Sequence, residues 1–164
     1  PDADRYATED ASAGRMVELI EAGEPAVFLC HWPGMYCNGT KSGFHAFQRI
    51  VTSVNRKYGR RIIWMKLTEM ARYWGAKGLT TIEREGNLIR LQAPFACPGF
   101  TLRIAGSTAA KVWLEQDGSR VPLREVVEAS ALSAPAYLRN GKTVDVCFDL
   151  VKGENRLQLD AGAA

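Results

Sequence analysis

Residues Ala26-Val27-Phe28-Leu29-Cys30-His31-Trp32-Pro33-Gly34 run from a block of apolar side chains straight into a histidine, a tryptophan and a Pro-Gly break. An unbroken apolar run of this length predicts a strand buried on both faces, as in a parallel sheet. Folds of that class build their sites at the C-terminal ends of strands. Position alone therefore makes His31 the catalytic candidate. An imidazole titrates near neutrality and can protonate a leaving nitrogen. The competing reading is a strand-end histidine held by a backbone carbonyl. Trp32, Met35 and Tyr36 follow on the same loop. They could wall a substrate pocket or form a stacking platform, or simply pack beneath the loop.

Upstream, Thr8 or Asp10 can cap a helix carrying Met16, Val17, Leu19 and Ile20, which Gly23 and Pro25 end. Downstream, residues 31–43 read as a long loop of the kind that tends to carry function. Asn38-Gly39-Thr40 within it matches a glycosylation sequon, or plain turn chemistry. Ser42 then caps a second helix, whose stripe is Phe44, Phe47, Ile50, Val51, Val54 and Tyr58. His45 falls on the opposite, solvated face, and Gly59 ends the helix. Ile62-Ile63-Trp64-Met65 predicts a second buried strand. A third helix follows with Met70, Ala71, Tyr73 and Trp74, closed by Gly75 and Gly78. The order α-β-α-β-α is that of parallel α/β units.

Beyond Gly78 the helical period gives way to strict alternation. Ile89, Leu91 and Ala93 alternate with polar residues, as do Phe100, Leu102 and Ile104. Val144, Val146, Phe148 and Leu150 do the same, then Leu157 and Leu159. Gly86-Asn87, Asp117-Gly118, Asn140-Gly141 and Gly153-Glu154-Asn155 punctuate them as turn signals. One dry and one wet face per strand predicts an antiparallel β-sandwich. The expected fold is thus α/β followed by all-β, with a boundary near Gly78–Leu79. Trp64, Trp74 and Trp113 are expected in core or domain-interface packing. Asp145 and Asp149 share one polar face, read as a solvated strand face rather than a calcium or sugar site.

The chain has 164 residues with a net charge of +3, its basic residues scattered rather than clustered. That argues against nucleic-acid binding. No apolar run approaches the roughly 18 residues of a membrane span, and no signal-peptide pattern opens the chain. Cysteines stand at 30, 37, 97 and 147 without a C-x-x-C pair, and only two histidines are present. A zinc site is therefore not expected. Cys30 and Cys37 flank one loop and could pair in an oxidising compartment; unpaired, mostly buried thiols are the expectation. The polar start at Pro1, without a methionine, suggests a piece of a longer protein.

A strand ending in Leu29-Cys30-His31, a loop, an amphipathic helix, then Ile62-Ile63-Trp64-Met65-Lys66-Leu67 and the helix start Thr68-Glu69-Met70 resembles the C-terminal end of polysaccharide deacetylase catalytic domains, the NodB-homology carbohydrate esterases. The resemblance covers roughly residues 15–75. It implies a distorted (β/α) barrel that removes acyl groups from amino sugars, usually with a divalent metal. It also implies that His31 is the general acid to the leaving amine, and an extracellular or periplasmic location. Where family members often carry Asp or Ser after this histidine, Trp32-Pro33-Gly34 stands here. The family's Asp-Asp pair and His-x-x-x-His ligands would lie upstream, so no cofactor is expected in this chain by itself.

Two readings follow. In one, residues 1–78 end the barrel-type sheet of a hydrolase, and residues 79–164 form an accessory sandwich. Its partners are a carbohydrate substrate and the N-terminal part of the same protein. In the other, the chain is a non-catalytic carbohydrate-binding or interaction module built on the sandwich, with residues 1–78 as its support.

Overall fold

The computed structural model describes residues 2–107 and 109–161. It divides into two compact units, Pro1–Met65 and Lys66–Ala164.

The first unit is helical. α1 spans Arg15–Glu21, α2 Trp32–Tyr36 and α3 Ser42–Tyr58. Its core gathers Ala3, Ala7, Ala11, Met16 and Val17 against Ile50, Val54 and Tyr58 of α3. A spacing of four residues brings these α3 side chains to one face. Thr8 and Asp10 cap no helix. Thr8 Oγ1 donates to Asp10 Oδ1 at 2.7 Å and accepts from Ser12 N at 3.0 Å, tying a turn instead. Gly14 precedes α1 because a Cβ there would collide with the Tyr6 carbonyl. Nor does Ser42 cap α3: Lys41, left-handed at φ 55°, precedes it, and Ser42 is its first residue.

Neither expected strand of this unit forms. Residues 24–31 and 62–66 are irregular, with no ladder partner among the described residues. Ala26, Phe28 and Ile62 turn onto the helical core. Val27, Leu29, Ile63 and Trp64 face out and are 56, 78, 84 and 52% exposed. A strand buried on both faces needs neighbours on either side and a second covering layer; this unit supplies only the inner one.

The second unit opens with α4, Leu67–Leu79, and continues, among the described residues, through nine strands. They are β1 Thr81–Glu85, β2 Leu88–Ala93, β3 Cys97–Ala105, β4 Ala109–Gln116, β5 Ser119–Pro122, β6 Arg124–Val126, β7 Ala136–Asn140, β8 Thr143–Leu150 and β9 Gly153–Ala161. One sheet has the order β1-β2-β9-β4-β5, the other β3-β8-β7-β6. Ile89, Leu91, Val112, Leu114, Leu157 and Leu159 of the first share a single core with Phe100, Ile104, Val144, Val146 and Phe148 of the second. Alternation in sequence thus places these residues on the inner faces of the sheets, although β8 is buried on both sides from Val144 to Phe148.

Several expectations change. α4 belongs with the sheets, not with residues 1–65, since Ala76 is fully buried in their core. Gly75 and Gly78 lie within α4 rather than ending it. Gly75 admits Phe95, whose Cζ would be 3.1 Å from an added Cβ. Pairing is not wholly antiparallel, because β6 runs parallel to β7. Gly153-Glu154-Asn155 is the start of β9, not a turn. Asp117 (φ 48°) and Gly118 (φ 76°) do turn β4 into β5 with both residues left-handed. The Asp145 and Asp149 face is not simply solvated. Asp145 is buried and held by Arg103, while Asp149 accepts from Gly99 N at 2.9 Å.

Candidate functional site

His31 occupies the position just before α2, in extended conformation at φ −104° and ψ 136°. Its side chain is exposed and makes no capping hydrogen bond. Pro33, in the first turn of α2, has no N–H to leave unsatisfied and a φ already suited to a helix. The expected loop is therefore partly helical, α2 followed by a 3-10 turn at Cys37–Gly39. Four residues apart, Trp32 and Tyr36 stack with ring centroids 5.8 Å apart and planes 12° off parallel. Trp32 is 75% exposed and Tyr36 45%. Met35 is half-buried. The structure thus brings Trp32 and Tyr36 together, directly after His31.

α2 is seated on the start of α3 by backbone contact. A Cβ on Gly43 would run into the Gly34 carbonyl, so glycine at 43 permits this approach. Cys37 Sγ donates to the same carbonyl at 2.7 Å. Hydrogen bonding from the Ser42 hydroxyl and the Gly43 amide holds the Cys37 thiol below the usual range. All four cysteines are free; Cys97 and Cys147 are buried, whereas Cys30 is exposed. Among the described residues, no group of three His, Cys, Asp or Glu side chains could hold a metal ion.

The remaining tryptophans depart from expectation. Trp64 and Trp74 are 52 and 63% exposed rather than packed in a core. Trp113 is half-buried on the outer face of the five-stranded sheet, where it lines a cavity. Its neighbours Val112 and Leu114 face the core, so strand parity was the signal for its outward position. Among the described residues no helix is long and apolar enough to cross a membrane. No protein-family model, curated protein or solved structure matches this chain.

Proposed function

We propose that this chain is the C-terminal part of a carbohydrate-active hydrolase resembling the polysaccharide deacetylases. On this reading residues 1–65 come from the end of a (β/α) barrel-type sheet, and residues 66–164, α4 with the two sheets, are an accessory β-sandwich. The supporting observation is the pair of half-covered apolar segments. Residues 26–30 lead to His31 with their inner face packed, while Val27 and Leu29 stand bare on the outer face. Ile62 is packed and Ile63 bare in the same way. A segment of a doubly covered sheet would leave its outer face bare in this way where neighbouring strands and the second layer lie elsewhere.

In amide hydrolysis, water adds to the acyl carbon and the C–N bond breaks. The departing nitrogen must gain a proton as it leaves. His31 is the donor in this reading, with the Trp32–Tyr36 stack as an apolar wall beside it. Any metal would be held by residues outside this chain.

The test begins with the protein as encoded, including whatever precedes Pro1. The reading expects an Asp-Asp pair and a His-x-x-x-His motif upstream. It also expects release of acetate from N-acetylated chito-oligosaccharides, with kcat lowered about 10²–10⁴-fold by His31→Gln. An encoded protein lacking both upstream motifs would sink it.

A further inference from the structure

The outer face of the five-stranded sheet carries a cavity of about 300 Å³ lined by Leu88, Trp113, Glu115, Arg120, Arg156, Gln158 and Asp160. No residue of the His31 segment takes part. Four strands contribute, and their parity explains the lining. Val112, Leu114, Leu157, Leu159 and Ile89 face the core, so the residues between and beside them face out. Register then gathers them. Gln158 lies opposite both Trp113 on β4 and Leu88 on β2, and Arg156 opposite Glu115.

The indole is fixed in place. Trp113 Nε1 donates to Asp160 Oδ2 at 2.8 Å, and the Arg120 guanidinium lies 4.7 Å from the ring centroid. Arg156 is oriented by Glu115 at 3.3 Å and Glu154 at 2.7 Å. The Gln158 amide, half-buried between the indole and Leu88, has no protein hydrogen-bond partner among the described residues. It offers both donors and an acceptor to whatever enters.

We propose that this cavity is a binding site for a neutral sugar ring. The lining is charge-balanced, with Arg120 and Arg156 against Glu115 and Asp160. A phosphate or a polyanion would meet two carboxylates and gain little net attraction. Sugar hydroxyls both donate and accept, and so match a mixed set of planar carboxylate, amide and guanidinium groups. Arg120 covers one face of the indole, so the apolar face of a pyranose would use the rest of the ring together with Leu88, which lines the same cavity. The volume is at the small end for ligand sites, which fits one ring of a longer glycan rather than a macromolecular surface. The assignment stands apart from the role of His31; either can fail alone.

The experiment is a titration of the whole chain, followed by ¹H–¹⁵N correlation spectra. The probes are cellohexaose and chitohexaose as neutral glycans, with an oligogalacturonate as the acidic control. The expected result is a saturable shift of the Trp113 indole N–H and the Gln158 side-chain amide with at least one neutral probe. Gln158→Ala is expected to weaken that binding about five- to tenfold without changing the melting temperature. No movement of these resonances with either neutral probe overturns the proposal. So does binding of the acidic probe alone, or neutral binding that Gln158→Ala leaves intact.

Discussion

Arg103 on β3 and Asp145 on β8 stand directly opposite one another, and the guanidinium closes on the carboxylate with two bonds of 2.7 and 2.8 Å. The Asp145 side chain is only 11% exposed, whereas Arg103 remains 70% exposed. The carboxylate is the partner with more to lose. Arg103→Ala strands it with little access to water, while the arginine was never fully desolvated. The expected result is a measurable loss of stability in urea unfolding, smaller than that of breaking a fully buried pair. Adding Asp145→Leu to that variant recovers most of the loss, because no charge is left unpaired. Equal losses in the single and double variants would show that the pair's geometry, not desolvation, matters.

Two glycines of α4 respond oppositely to substitution. Gly78 is exposed and has nothing within 4 Å of an added Cβ. Gly78→Ala therefore stabilises by about 0.5–1 kcal/mol through helix propensity. Gly75 faces the Phe95 ring at 3.1 Å. Gly75→Val drives a branched side chain into that ring and costs about 1–3 kcal/mol. Thermal unfolding of both variants reads the contrast, and a stabilised Gly75→Val would refute the close approach.

Asp10 titrates abnormally low. Hydrogen bonds from the Thr8 and Ser12 hydroxyls and the Ser12 N–H bring its pKa from the usual 3.8 to about 2. Because the folded value lies below the unfolded one, the turn's contribution is complete above about pH 4. It is lost as pH falls from there through about 2. Carboxyl-carbon NMR titration should place the midpoint near 2 and move it up in Thr8→Ala. An unchanged midpoint in that variant would assign the depression to another group.

The outward apolar residues of the first unit are not held by packing. Leu29 and Ile63 are 78 and 84% exposed. Leu29→Lys and Ile63→Lys should change unfolding free energy by less than about 0.5 kcal/mol. They should also reduce binding of an apolar dye, since each removes a large exposed apolar side chain. A loss of several kcal/mol in either variant would mean that this face is covered within the chain itself.

What could be read from the chain was local. The alternation of Ile89 with Leu91, of Val144 with Val146 and Phe148, and of Leu157 with Leu159 marked strands that form. The stripe from Ile50 to Tyr58 marked α3. Asp117-Gly118 and Asn140-Gly141 marked turns that exist, because left-handed backbone at Asp117, Gly118 and Gly141 selects those residue types. Tertiary structure decided the rest. The run Ala26–Cys30 is as apolar as any strand in the second unit, yet it pairs with nothing among the described residues. A strand is completed by partners distant in sequence, and no local pattern says whether they are present. The same non-locality places β9 between β2 and β4 and draws α4 to the sheets. It also assembles Leu88, Trp113, Arg120 and Gln158 from four strands around one cavity. Residue pattern sets which face a side chain takes, but register and strand order determine what it meets there.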